Sequence, residues 1–301
     1  MANFIIIGVC LIAGILFRRS KTLPADTHKG INAWLIYLAL PAVSFKYLPY
    51  IHWSADLLLP ALAPLIMWLF GWLYIRLYAK KTIIPAKTAA GLILAAGLSN
   101  TSFVGFPLVT AFFGEKYLAI AVICDQVTFL LLSTLGIIVA INSSQPSGIA
   151  IGTLVKKVLT FPPFLGCVLA LTLPHFVNIS QLNPLFDKLA NTVGPLALFS
   201  IGLQLQFKGY KEELNRISAT LLYKLILAPA LITIIALIFQ LRGIITQVTI
   251  FEMAMPPILS ASIIADEYKL NPQLSNLVIG IGLIIGFATT TMWWGIVHFF
   301  Q

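Results

Sequence analysis

The chain has 301 residues, 59% of them hydrophobic and only 10% charged, with a mean hydropathy of +0.96. No water-soluble domain of this size has that balance, so soluble enzymes and soluble nucleic-acid-binding modules are excluded and an integral membrane protein is indicated. The net charge of +9 does not restore a nucleic-acid reading, because the basic residues fall in short segments between apolar runs, where they report topology.

Strand-like alternation is absent, so the spans are read as helices that satisfy their own backbone in lipid. The first is predicted at 3–17; Arg18, Arg19 and Lys21 follow this apolar stretch, the reverse of a signal peptide. Spans at 30–48 and 57–79 come next, the former with Pro41 in IYLALPAVSF. The fourth, 88–113, contains GLSNTSFVGFPLV, with Ser99, Asn100, Thr101, Ser102, Gly105 and Pro107 close together. Proline removes a donor and glycine loosens the backbone, so this helix is predicted to unwind just after Asn100 and restart near Pro107. The fifth span, 116–141, carries Asp125, and the polar stretch 142–165 reads as a linker. Five more follow at 158–175, 183–206 (with Pro195), 216–240 (with Lys224), 244–267 and 272–298. In the ninth, FEMAMPPILSAS holds Glu252, Pro256, Pro257 and Ser260, and a second break is predicted with the prolines opening a new half-helix.

The fold class is therefore all-α, with ten transmembrane helices. Pro195 follows Pro41 by 154 positions and Pro256 follows Pro107 by 149, so the chain divides into two five-helix repeats, 1–148 and 149–301. Five is odd, so the second repeat enters the membrane inverted, with the broken helices 4 and 9 crossing. On this topology one set of connections holds fourteen Lys and Arg, the other only Lys46, Lys116, Lys188 and Arg242. The basic side is cytoplasmic by the positive-inside rule, which puts both termini outside the cytoplasm of a cell inner (plasma) membrane protein.

Irregular backbone at membrane depth must be buried in protein or line a wet cavity. Half-helix N-termini meeting at the midplane form an anion site; the opposing C-terminal ends suit Na⁺ or a proton-linked water. The candidate substrate-binding residues are Ser99, Asn100, Thr101, Ser102, Gly105 and Pro107 from the first break, and Pro256, Pro257 and Ser260 from the second, with Ser262 in support. Asn100 either contacts substrate or caps the broken helix. Pro41, Pro107, Pro195 and Pro256 are the candidate hinges. Glu252 and Asp125 are ion-coupling candidates; alternatively Glu252 is a neutral, hydrogen-bonded group that shapes the break, and Asp125 packs against polar neighbours or pairs with Lys224. Lys224 itself is expected to snorkel to the cytoplasmic interface. Gly282 and Gly286 read as a helix-packing GxxxG, and aromatics including Trp68 and Trp293 as an interfacial belt.

Catalytic and metal-ligating residues are not indicated. Cys10, Cys124 and Cys167 lie in apolar runs without ligand spacing, the four histidines are scattered, and HExxH, GxSxG and GxxxxGK[ST] motifs are missing. No cofactor is called for, and coupling to H⁺ or Na⁺ stays open. The implied partners are a small carboxylate substrate and membrane lipid, not nucleic acid; a homodimer is compatible with the sequence.

The stretches SNTSFVGFPLVTAFFG, LALPAVSF, VGPLALFSIGLQL and MAMPPILSASIIADEY together resemble the auxin efflux carrier family of membrane transporters, including its bacterial members. The resemblance covers nearly the whole chain. It implies a ten-helix, two-repeat fold with a scaffold and a moving part, elevator-type alternating access, and transport of small organic anions such as auxin-like or malate- and malonate-type acids. The family's crossover asparagine and prolines carry over to Asn100, Pro107 and Pro256. The long cytosolic loop of many plant members is missing, which favours a bacterial-type carrier. The alternative is a membrane sensor or structural protein that keeps the fold without transporting.

Overall fold

The computed structural model describes residues 2–51, 54–144, 152, 155–156, 159–204 and 211–300. The linker, and with it the division at 148/149, lies largely outside them. All regular structure among the described residues is helical. We number the helices α1 (Ala2–Ser20), α2 (Thr27–Tyr50), α3 (Ala55–Thr82), α4a (Ala86–Gly97), α4b (Thr101–Phe112), α5 (Glu115–Ser144), α6 (Pro162–His175), α7a (Asn183–Ala190), α7b (Val193–Gln204), α8 (Lys211–Ile238), α9a (Ile244–Met253), α9b (Ser260–Glu267) and α10 (Pro272–Val297). Five of them, α2, α3, α5, α8 and α10, are long and apolar enough to cross a membrane. Several shorter apolar helices accompany them, as in a multi-pass membrane protein.

Prolines shape these helices without always ending them. Leu35–Ala39, Thr101–Gly105 and Tyr223–Leu227 are π-helical, and a proline follows each by two residues: Pro41, Pro107 and Pro229. The ring clashes with the carbonyl four residues back, and a widened turn relieves that clash while keeping the chain helical. Pro41 therefore deforms α2 but does not break it. The interruption in α7 is sharper: α7a and α7b are separated at Asn191–Thr192, with Pro195 in the first turn of α7b.

The helices pack as two bodies. α1, α2, α6 and α7 form one, and α3, α4, α5, α8, α9 and α10 form the other. In the first body α1 and α7b cross backbone to backbone: a Cβ on Gly14 would collide with the Phe199 carbonyl oxygen, and one on Gly202 with that of Leu11. Small residues permit such approach, and lipid-embedded helices gain van der Waals contact from it. The second body encloses a polar interior containing Ser99, Asn100, Thr101, Asp125, Lys224 and Glu252, all buried. α4b and α5 lie along the seam, where α4b meets α1 and α7b and α5 meets α2 and α6.

Candidate functional site: a crossover of two interrupted helices

The first break lies earlier than the sequence pattern predicts, and the second surrounds Pro256 and Pro257 but its half-helix restarts later. α4a ends at Gly97, Leu98 turns extended (φ −125°, ψ 128°), and the helix resumes at Thr101 in the π turn. The unwound residues are thus Leu98–Asn100, before the predicted break, and Pro107 sits inside the restarted helix because the π turn absorbs its clash. In the second half, α9a ends at Met253 and α9b begins at Ser260, so Pro256 and Pro257 lie within the break and do not open the half-helix.

The two breaks pair with each other. Asn100 N–H donates to the Pro256 carbonyl (2.8 Å) and Ile258 N–H donates to the Leu98 carbonyl (3.1 Å), forming an antiparallel bridge with Ser99 opposite Pro257. This explains the prolines. Pro256 has only to accept, and Pro257 occupies the non-hydrogen-bonded position, where a missing N–H costs nothing. In each of these two bonds a buried backbone N–H of one break is satisfied by a carbonyl of the other. Gly282 and Gly286 of α10 provide the seat: a Cβ at Gly282 would lie 2.8 Å from the Pro257 ring, and one at Gly286 2.9 Å from Pro256. The GxxxG pattern thus does more than set helix packing, since it makes room for the break.

Lys224 does not snorkel, nor does it hydrogen-bond Asp125. It is fully buried, donating to Ser99 Oγ (2.7 Å) and to the Met253 carbonyl (2.9 Å), with Met67 Sδ at 3.6 Å. Met253 is the last residue of α9a, so the ammonium caps the negative end of that half-helix dipole and ties it to the first break. Its neighbour Tyr223 donates to the Met67 carbonyl (2.6 Å) and stacks on Tyr74, fixing the π turn of α8 against α3. Trp68 and Trp293 are also buried, outside any interfacial belt. Gly97 lets Trp68 pack against the end of α4a, and Trp293 Nε1 donates to the Leu225 carbonyl (2.8 Å).

Asp125 accepts a hydrogen bond from Thr101 Oγ1 (2.6 Å) and lies beside Ser102. Glu252 faces Gly105 so closely that a Cβ there would be 2.5 Å from Oε2. Glu252 interacts electrostatically with both Asp125 and Lys224. Among the described residues, both Glu252 carboxylate oxygens, Asp125 Oδ2 and Asn100 Nδ2 are buried without a hydrogen-bond partner. The Asn100 side chain makes no capping bond to α4b, and Glu252 lacks the hydrogen bonds expected of a purely shape-keeping group.

The crossover therefore gathers Ser99, Asn100, Thr101, Ser102, Gly105, Pro256 and Pro257, together with Asp125, Glu252 and Lys224. Ser260 opens α9b, and Ser262 bonds back to the Leu259 carbonyl. Pro41 lies elsewhere, against Gly166 of α6. Pro107 and Pro195 meet across the seam between the two bodies, lining a cavity of about 270 Å³ with Val43, Tyr47, Glu115 and Asn191. At this cavity Lys46 of α2 binds Glu115 (2.6 Å) and Asp187 of α7a (3.1 Å), and Tyr47 donates to Glu115 (2.9 Å). Glu115 begins α5, so this clasp joins the two bodies. Its members were not singled out from the sequence, where nothing brings positions 46, 115 and 187 together.

Residues 1–294 match a protein family described as "Membrane transport protein". The chain belongs to this family, that of the auxin efflux carriers. Among relatives of known sequence, an "Uncharacterized transporter" of Methanothermobacter thermautotrophicus is 23% identical, covering 95% of this chain and 94% of the relative. One of Methanocaldococcus jannaschii is 24% identical, covering 96% of each. A Rhizobium meliloti protein named "Putative malonate transporter" is 24% identical over 93% of this chain and 90% of its own. The auxin efflux carrier assignment and the apolar helices make this chain a multi-pass membrane transporter, and the relatives carry transporter names, not enzyme names.

Proposed function

We propose that this carrier is a secondary transporter that moves a small organic anion, a carboxylate of malonate, malate or auxin-like type, by elevator-type alternating access through the crossover. The observation that carries the reading is the paired break: two interrupted helices joined at a buried polar centre, where Asn100 presents an unpartnered amide donor near the start of α4b. A carboxylate suits that donor and the positive end of the half-helix. The malonate name of the rhizobial relative points to the same substrate class.

The ten-helix inverted repeat is supported by matching element starts. Thr27 and Asn183, Ala55 and Lys211, Ala86 and Ile244, and Thr101 and Ser260 are separated by 156, 156, 158 and 159 positions. That register is steadier than the proline offsets; it maps Ala2 at the start of α1 onto positions 158–161, just ahead of Pro162 at the start of α6, so the proposed halves 1–148 and 149–301 would meet within the linker. The elevator step is supported by the two-body packing: the body carrying the crossover slides against the α1, α2, α6, α7 scaffold, and the Lys46–Glu115 clasp breaks as it does so. Glu252 is the coupling candidate for H⁺ or Na⁺, with Asp125 beside it. The charge distribution supports an inner-membrane protein with both termini outside the cytoplasm.

A thermal-stability screen of detergent-purified protein with malonate, malate and indole-3-acetate, with and without Na⁺ and at two pH values, tests the reading. A ligand at 100 times its Kd stabilises the folded state by about 2.7 kcal/mol. Stabilisation that disappears in Asn100→Ala, together with uptake of that acid into proteoliposomes, is expected. Failure of every anion both to stabilise the protein and to enter proteoliposomes overturns the carboxylate assignment.

A further inference from the structure

We infer that a groove between α3, α4a and α5 is a binding site for an anionic phospholipid, with the acyl chain along the groove and the phosphate between Arg76 and Lys80. The inference rests on the chain being a membrane protein and is independent of the substrate reading. The groove encloses about 890 Å³ and has walls that include Trp72, Leu73, Ile93 and Ile138. Leu69, Leu73 and Leu77, spaced four apart on α3, are 49%, 46% and 61% exposed, so the outer edge of the groove is a lipid-facing stripe.

That stripe ends in charge. Arg76 and Lys80 both line the groove one helical turn apart, and the segment Arg76–Lys87 adds Lys81 and Lys87 with no Asp or Glu. Like charges at i and i+4 repel when they face nothing; a phosphate between them removes that cost and gains charge-assisted hydrogen bonds. The Arg76 guanidinium lies 4.6 Å from the Trp72 ring centroid, which pre-orders it at the groove's apolar edge. Asn142 and Ser143 of α5 add polar lining at the same groove. Basic pockets between membrane helices recognise anionic headgroups by this chemistry.

A second groove makes the contrast. Between α3, α8 and α10, about 930 Å³ is lined by residues such as Tyr74, Leu222, Ile226 and Ile285, with no Lys or Arg among the described lining. Comparable apolar space is present there without the charged mouth. An acyl chain fits either groove, but only the α3–α4a–α5 groove selects for headgroup charge.

The test adds dioleoylphosphatidylglycerol or dioleoylphosphatidylcholine to delipidated, detergent-purified full-length protein and reads bound lipid by native mass spectrometry and the melting temperature. Phosphatidylglycerol is expected to bind and stabilise preferentially. Two cations at about 1 kcal/mol each correspond to a preference of about 30-fold, which the double variant R76Q/K80Q should lose. Both side chains are exposed, so that variant folds. Ile138→Trp, which narrows the groove and keeps both cations, should also weaken phosphatidylglycerol binding. Equal binding of the two lipids by the wild type, undiminished preference in R76Q/K80Q, or unchanged binding in Ile138→Trp each overturns the inference. Glycerol phosphate alone stabilising as well as the lipid also overturns it, by showing a free-phosphate site.

Discussion

Lys224→Met is the most informative single change, because it removes a buried side chain that bonds to both halves of the crossover. Two hydrogen bonds disappear, at 2.7 Å to Ser99 and 2.9 Å to the Met253 carbonyl. Bonds to a charged group contribute roughly 1.5–3 kcal/mol each, a gross loss of about 3–6 kcal/mol. The buried ammonium also carries a desolvation cost of several kcal/mol that methionine does not. What decides the sign is the remainder: Glu252, which interacts electrostatically with Lys224 without an ion pair joining them among the described residues, stays buried with that cation gone, and an uncompensated buried charge is costly. We expect a net destabilisation of about 3 kcal/mol, or a melting temperature lower by about 6 °C or more in detergent. Glu252→Gln placed on top of Lys224→Met should restore part of this, since a neutral amide no longer needs the cation, and a coupling energy of about 1 kcal/mol or more should emerge from the double-mutant cycle. A Lys224→Met protein that melts with the wild type, or a double variant whose losses simply add, would refute the electrostatic account of the crossover.

If Glu252 carries a coupling proton, proteoliposome uptake varies with pH in the wild type, and Glu252→Gln flattens the profile while the protein still folds; an unaltered profile in that variant removes Glu252 from the coupling. Asn100→Ala should weaken substrate affinity with a melting-temperature change corresponding to less than about 1 kcal/mol, because the side chain makes no cap to lose; ligand titration and melting curves separate the two effects. Gly282→Ala should destabilise by about 1–3 kcal/mol through contact with Pro257 and Leu221. Gly295→Ala, with open space around its added methyl, should stabilise by a few tenths to about 1 kcal/mol. Equal melting temperatures for these two glycine variants would contradict the seating of the proline break on α10.

Much of this site was legible because membrane depth makes polarity conspicuous. SNTSFVGFP and EMAMPP stand out in apolar runs, and the structure brings most of their polar and proline residues together. Their boundaries were less legible, because a proline can be absorbed by a π turn: Pro107 marks a widened helix, and the real break lies at Leu98–Asn100. The snorkelling expectation for Lys224 fails because position along a span gives depth but not direction, and an inward-facing lysine has the same spacing as a snorkelling one. The pairing of Asn100 with Pro256 was beyond the sequence altogether, since backbone hydrogen bonds leave no residue-type signature. The clasp was hidden for a related reason: Lys46, Glu115 and Asp187 each look like ordinary end-of-span charges, and only packing joins them.

The bridge at Ser99 and Pro257 has a consequence for how the protein is made. When the translating ribosome has delivered the first five helices to the membrane, the Asn100 N–H and the Leu98 carbonyl have no partner, because Pro256 and Ile258 lie more than 150 residues downstream. Exposed backbone groups at that depth cost several kcal/mol each. The N-terminal half must therefore wait, with its fourth helix shielded by the insertion machinery or held short of its final depth, until the ninth helix arrives to complete it. Truncation after α5 would leave the Asn100 N–H and the Leu98 carbonyl without the partners that α9 brings.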